Sequence, residues 1–526
     1  METKDSIEKK QPFGNPDGSR ANIKEITDGF VIFSDENVWG GIATKKDDFS
    51  ARVIVGRKGS GKTVYLRRLQ AYAQTDESIY TEKLQQSLPT TEEILKFCNW
   101  FKENILTEKW MELWRRAILR SIVTHILYSP QINSYTDDKR KELIKKEFKS
   151  IIPDSITPLN IYSQVSEIIN SHHGQNDISS FFSDPKWNQL EWFIGDIISN
   201  SKPLYFYVDA VDEEYYHAPM YWLRVQKGLF YQTMRYLRDS NLGNRLHIFI
   251  CIREHVLASV FKGEHQTRYR EEPHIRLLRW NKESALYLLQ EKVKKLEKEY
   301  FQSDGELSIE NWLGCKVIYN DQRKVNEPVE QYLLRHTRLL PRDVIILGNI
   351  LCRSLLKAKY FSSSKPTDII IKECVSDAAK IFGNEQLAIC ANHISSNMMP
   401  ENAAIHNYSE FYTGNKEHEK IIKDDLIKVI CFIGKDRFSI DELLAGKTYS
   451  KEIFKCEVDV FSILWMNGLL GYAKGNSHSN EVEFFSEDYL DDFNLPLTKK
   501  QYVFHSTLID TTEIKPIGKP IISFKN

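Results

Sequence analysis

The 526 residues carry 71 Lys and Arg against 72 Asp and Glu, a formal net charge of −1, with 41% hydrophobic and 27% charged residues. That balance fits a globular chain of about two to four domains, at roughly 100–200 residues each, and excludes a global electrostatic pull toward nucleic acid or anionic lipid. The eight cysteines are scattered without a C-x-x-C pair, which argues against a zinc site or disulfide framework, and no apolar run approaches the ~20 residues of a membrane span.

The first residues, METKDSIEKKQPFGNPDG, are too polar for a signal peptide, so a reducing, cytoplasmic location is expected. Residues 1–50 read as an N-terminal extension that turns strand-like at GFVIF. The apolar run Val53-Ile54-Val55 then leads into GRKGSGKT, residues 56–63. VYLRRLQAYA follows, with Val64, Leu66, Leu69 and Tyr72 able to share a helical face. This is G-x-x-x-x-G-K-[ST] in a strand–loop–helix setting. Glycines at 56, 59 and 61 let the backbone wrap closely around phosphates, and the helix N-terminus adds positive potential. Gly56, Lys58, Gly59, Ser60, Gly61, Lys62, Thr63 and Val64 are therefore the expected ATP-binding residues. Among them Lys62 should reach the β- and γ-phosphates and Thr63 should ligate Mg2+.

Lys62 and Asp209 are 147 positions apart, and the excess over a minimal core reads as a helical insertion at about 85–200. Thr90-x-x-Glu93 is a capping box for its first helix. The run EKWMELWRRAILRSIVTHIL puts Trp110, Leu113, Trp114, Ala117, Ile118 and Ile122 on one stripe, which assigns Arg115, Arg116 and Arg120 to solvent. LYFYVDAVDEE, residues 204–214, reads as a buried strand ending on Asp209, the second expected Mg2+ ligand. Ala210 follows, so the water-activating carboxylate falls to Asp212 or Glu213, with Glu213 the first choice and Asp212 a metal or water-network ligand. RLHIFICIRE, residues 245–254, is a further buried strand with Arg253 at its polar end. HIRLL reads as a fifth strand and Asn281 as the cap of the next helix. Arg268 and Arg270, just before that strand, are surface arginines on the plainer reading and trans-acting fingers on the other. No N/T-K-x-D element follows Asp209, so ATP is expected over GTP.

Residues 281–420 read as a helical domain. Within it RHTRLLPRDVIILGN places Pro341 at a helix start, from which Arg342, or Arg338 as second choice, can reach back to the phosphates. From 421 to 526, helical runs over 422–432, 440–445 and 451–467 precede a hairpin with its turn at Gly475-Asn476-Ser477, and QYVFHSTLI adds a strand. Three helices and a hairpin suggest a winged-helix-like domain. Its 13 basic and 16 acidic residues oppose phosphate contacts, so nucleic acid is not the favoured partner.

The order of elements from Gly56 to about Asn349, and on through the last domain, resembles STAND/AAA+-type (ASCE) P-loop ATPases. It is closest to soluble bacterial P-loop ATPases associated with antiviral defence. The stretch from Leu204 to Glu213 is similar to the Walker B of the STAND branch, Arg253 stands at their sensor 1, and Arg342 or Arg338 at their sensor 2. Leu339-Leu340-Pro341 departs from the family's G-x-P. The resemblance implies an α/β fold: a P-loop NTPase core with an ASCE-type parallel sheet at 51–280, the insertion, a helical lid at 281–420 and the winged-helix-like domain. It also implies an Mg-dependent ATPase acting as a switch or oligomeric assembly platform. Its catalytic residues are Glu213, Asp212, Arg253, Arg342 and Arg338, and its partners are copies of itself or a separate effector protein. The alternatives are a DNA-acting, origin-recognition-like ATPase and a nucleotide-binding scaffold without turnover.

Overall fold

The computed structural model describes residues 3–520 except 19, 22–23, 25, 27–51, 83–88, 134–135, 210–218, 243–244, 262–267, 270–271, 362–364, 398–415, 456, 475–481 and 486–493. The strand-like segment at GFVIF, Asp212, Glu213, Arg270 and the turn at 475–477 lie outside the described residues.

Five strands form one all-parallel sheet. They are β1 (Val53–Val55), β2 (Tyr80–Thr81), β3 (Leu204–Val208), β4 (Leu246–Ile252) and β5 (Ile275–Leu277), in the order β2-β3-β4-β1-β5. The first strand in sequence thus lies between the fourth and the fifth, with Val53 in register with both Ile250 and Ile275. Every residue of β1 and β3 is buried, as expected of a parallel sheet covered on both faces. Period-two alternation divides the strands between two cores. Val53, Val55, Phe206, Val208 and Ile250 face one apolar cluster. Ile54, Tyr205, Tyr207, Phe249 and Cys251 face the other.

Between β2 and β3 the chain is largely helical, beginning at Thr91–Cys98, whose Thr90–Glu93 capping box is formed. The central helix of this segment, Leu106–Tyr128, packs against Pro219–Leu237 and Ile161–Ser171 and is buried along most of its length. Arg115, Arg116 and Arg120 are buried with it, a correction to the solvated positions expected from the stripe. Arg115 bonds Glu191 and Asn188, Arg116 bonds Glu112 and the Phe182 carbonyl, and Arg120 bonds Glu167. A helical stripe assigns its far side to water. Here that side is enclosed by neighbouring helices, and carboxylates from those helices and from Glu112 of the same helix neutralise the guanidinium groups.

Beyond β5 come the helices Lys282–Lys294 and Pro341–Tyr360, and between them an antiparallel pair, β6 (Val317–Asn320) and β7 (Val325–Pro328), that a purely helical reading omits. Four-residue strands around a polar turn are too short to show in a helix-length window. The C-terminal unit holds β8 (Arg437–Ser439), β9 (Leu470–Ala473), β10 (Val482–Phe484) and β11 (Gln501–Phe504), antiparallel in the order β10-β9-β11-β8. The helical runs expected at 440–445 and 451–467 are instead Ile440–Phe454 and Val460–Met466. Lys455 ends the first in the left-handed conformation, and the Asp459 side chain caps the second through the Ser462 N–H.

The long helix Thr367–Asn397 belongs to two cores. Ile371, Val375 and Phe382 pack with the second cluster, and Leu387, Cys390 and Ile394 pack with a third that includes the C-terminal sheet. The packing therefore changes hands near residues 383–386, in mid-helix. A second tie is the buried Arg323–Asp436 pair, in which Arg323 of the β6–β7 turn also donates to the carbonyls of Ile517 and Gly518. No described helix is long and apolar enough to cross a membrane.

One buried histidine, His505, and two half-buried ones, His393 and His247, predict how stability follows pH. Burial, helped by Arg253 beside His393, Arg338 beside His505 and Arg52 beside His247, pulls these imidazoles down to about 4, about 4 and about 3 respectively. The folded chain keeps them neutral while the unfolded chain protonates them near pH 6.5, so the unfolded state binds more protons between those values. Stability should fall as pH drops from about 6.5 toward 4, at up to ~1.4 kcal/mol per pH unit for each histidine. Urea midpoints at pH 7.5, 6 and 5 check this, and a flat profile contradicts it.

Candidate functional site

The chain leaves β1 at Gly56 and re-enters helix at Lys62–Gln74 after a turn that side chains would obstruct. Gly59 (φ +87°) and Gly61 (φ +93°) are in the left-handed region, where a Cβ is strained. A Cβ on Gly56 would lie 2.4 Å from Ser60 Oγ, and one on Gly59 would lie 3.1 Å from Arg342 Cβ. Gly61 is the N-cap of the helix, so unpaired N–H groups of the first turn open toward the loop. Lys62 Nζ folds back to donate to the carbonyls of Gly56 (3.0 Å) and Arg57 (3.1 Å). The Ser60 hydroxyl is buried and makes no hydrogen bond to the described residues. Its carbonyl accepts from Trp280 Nε1 at 3.0 Å.

A cleft of about 310 Å3 opens on this loop. Its walls include Lys58, Gly59, Gly61, Lys62, Thr63 and Val64 from the loop and helix, Asp209 from the end of β3, Arg253 from the end of β4, and Pro341, Arg342 and Ile345 from the helix beyond β5. Asp209 is buried, and the Tyr162 hydroxyl donates to its backbone carbonyl. The Arg253 N–H donates to Gln226 Oε1 at 3.2 Å. The Arg342 N–H donates to the Gly59 carbonyl at 3.2 Å, and its guanidinium meets Glu385 Oε1 at 3.0 Å. The same carboxylate oxygen lies 3.1 Å from Lys58 Nζ.

Arg338 does not join this cleft. Its guanidinium pairs with Asp343, a carboxylate with no exposed surface, at 2.7 and 2.8 Å, and also bonds Gln386. A fully buried carboxylate needs a cation, and Asp343 claims Arg338 for the helix start. Arg338 faces instead a pocket of about 50 Å3 shared with Arg57, Arg253 and His393. Arg268 is exposed beside the Tyr269 ring, on the wall of a separate cleft.

Two groups at the site carry no recognised motif. Asn15, Pro16, Asp17 and Gly18 close one wall of the cleft. This strap is tied down by Asn349, which accepts from the Phe13 N–H and donates to the Gly14 carbonyl, both at 2.9 Å. Arg67 of the loop helix adds a bond to the Gly18 carbonyl at 2.7 Å. The Phe13 ring lies so close to Gly348 that a Cβ there would come within 2.3 Å. The available sequence signal was GNPDG, a turn composition. Glu385 is the other group, inside a long helix with nothing in its spacing to mark it.

No described cluster of three or more His, Cys, Asp or Glu side chains could hold a metal. Thr63 and Asp209 are hard oxygen donors on one cleft. They suit Mg2+, which binds through one or two protein ligands and completes its shell from water and phosphate. Comparison of the chain with family models, curated proteins and solved structures finds no match.

Asn349→Ala should leave the Phe13 N–H without its acceptor and loosen the strap. Hydrogen exchange at residues 13–18 should quicken by roughly tenfold or more, the equivalent of one lost buried hydrogen bond. Unchanged exchange contradicts the tie.

Proposed function

We propose that the chain binds Mg–ATP in this cleft and hydrolyses it, as a P-loop ATPase working as a nucleotide-dependent switch or assembly platform. The observation that carries this reading is one cleft of about 310 Å3 lined by Lys62, Thr63, Asp209, Arg253 and Arg342, which come from four separate parts of the chain. The strand order supports it, because β4 lies between β1 and β3 as in ATPases with an added strand between the phosphate loop and Walker B. The carboxyl ends of these neighbouring parallel strands then share one crevice, the usual ligand position in open α/β sheets.

In this reading the loop N–H groups and helix N-terminus receive the β- and γ-phosphates. Lys62 exchanges its two loop carbonyls for phosphate oxygens. Thr63 and Asp209 hold Mg2+, which supplies charge neutralisation at the phosphoryl oxygens. Arg253 and Arg342 face the charge that develops as the terminal phosphoryl group leaves. Glu213 or Asp212 takes the proton of the attacking water. The strap at Asn15–Gly18, with Pro341 and Ile345, shields the nucleotide from solvent. Partners in this reading are further copies of the chain or a separate effector, as in the defence-associated ATPases it resembles.

Phosphate release from Mg–ATP tests this. The wild-type chain should turn over slowly, and Lys62→Ala should lose both binding and turnover. Glu213→Gln should retain ATP while losing about 10²–10⁴ in rate. Turnover lost in Asp212→Asn but kept in Glu213→Gln exchanges those two roles. Nucleotide affinity that survives Lys62→Ala contradicts the cleft assignment. Tight, salt-sensitive duplex binding at physiological salt would favour the DNA-acting alternative.

A further inference from the structure

We propose that Glu385 sets the discrimination between nucleoside triphosphate and diphosphate. Its carboxylate occupies Lys58 and Arg342, two cations of the cleft wall, and a terminal phosphate must displace it to reach them. The inference rests on the nucleotide reading above and deepens it.

The geometry is specific. Glu385 Oε1 lies 3.0 Å from Arg342 Nη1 and 3.1 Å from Lys58 Nζ, so one oxygen serves both. Both cations line the phosphate cleft, on a wall that also contains Gly59. Burial alone would raise the Glu385 carboxyl, but Arg342, Lys58 and Arg338 outweigh it and hold the carboxyl below its ordinary range. It is therefore a full anion at neutral pH, of the same sign as the phosphate and on the same two partners.

The brace is also weak enough to exchange. The three side chains retain between 21% and 32% of their exposure, so solvent reaches and screens the pair and a competing anion can approach it. The neighbouring Arg338–Asp343 pair, with its carboxylate fully buried, is a fixed strut by comparison. A second anion near two shared cations costs a tetravalent nucleotide more than a trivalent one, because the terminal phosphate approaches closest.

Displacement has a route to the rest of the molecule. The next residue, Gln386, bonds Arg338 and donates to Asn467 of the C-terminal unit at 3.1 and 3.2 Å. Arg57 of the phosphate loop donates to the Phe485 carbonyl of the same unit. One turn of the long helix thus touches the cleft cations on one side and the C-terminal unit on the other. It lies where the helix passes from one core to the next. A triphosphate that takes Lys58 and Arg342 from Glu385 releases one side of that turn. A diphosphate leaves it in place, which is the differential affinity a population shift requires.

The test is isothermal titration of the full chain and of E385Q, an isosteric change, with ADP and with a non-hydrolysable ATP analogue in Mg2+. The expected result is a gain of roughly tenfold or more in affinity for the ATP analogue in E385Q, with ADP affinity changed less than about twofold. Hydrogen exchange on the wild-type chain is the second readout: residues 464–472 should exchange faster with the ATP analogue than with ADP. Weaker analogue binding in E385Q, an unchanged ATP-to-ADP ratio, or identical exchange with both nucleotides overturns the role of Glu385 alone. A wild-type chain that binds neither nucleotide overturns the nucleotide reading and this inference with it.

Discussion

The turn from Gly56 to Gly61 can close only because Gly59 and Gly61 take positive φ, and much of the molecule is docked on that turn. β1 supplies its entry and the helix Lys62–Gln74 its exit. Trp280, beyond β5, bonds the Ser60 carbonyl, and the Arg342 N–H bonds the Gly59 carbonyl. Glu385 of the long helix pairs with Lys58, and the Phe485 carbonyl of the C-terminal unit accepts from Arg57. A side chain at Gly59 would meet Arg342 directly, so the glycine serves both the turn and the seat of the helix that covers it. The sheet, the helices beyond it and the C-terminal unit therefore meet at one loop, which gives the state of that loop leverage over all three.

Those contacts differ in strength, and the difference carries mechanical meaning. Arg323–Asp436 and Arg338–Asp343 have carboxylates with no exposed surface, and removing one partner of such a pair costs roughly 3–5 kcal/mol. Arg323–Asp436 ties the β6–β7 turn to the C-terminal unit, and Arg338–Asp343 fixes the start of the helix Pro341–Tyr360. The Glu385 brace to Lys58 and Arg342 is partly exposed and shared. In the proposed account it is the contact that a ligand can exchange without unfolding anything. On that account, rigid struts around one weak, charged latch would let a local phosphate contact be felt across the long helix Thr367–Asn397.

Much of the site was legible in the sequence because its signals are local. The loop from Gly56 to Thr63 is contiguous, and Asp209 and Arg253 stand at the ends of apolar runs that read as buried strands. The sheet order was not legible, since pairing among β1, β4 and β5 joins residues some 200 positions apart and periodicity is blind to partners. Arg115, Arg116 and Arg120 were misplaced for the same reason, because the carboxylates and carbonyls that let them be buried belong mostly to other helices. Arg338 and Arg342 stand four residues apart, one before and one inside the start of the helix Pro341–Tyr360, and only the buried Asp343 decides which of them is left for the cleft. The strap at Asn15–Gly18 and the brace at Glu385 reach the site by tertiary contact alone, so no motif could announce them.

The most direct measurement is a crystal structure of the chain with Mg2+ and a non-hydrolysable ATP analogue. The account places the β- and γ-phosphates within hydrogen-bond distance of the loop N–H groups. Lys62 Nζ should then be on phosphate oxygens instead of the Gly56 and Arg57 carbonyls, with Thr63 and Asp209 at the metal. A nucleotide bound elsewhere, or one bound here with Lys62 still on those two carbonyls, contradicts it.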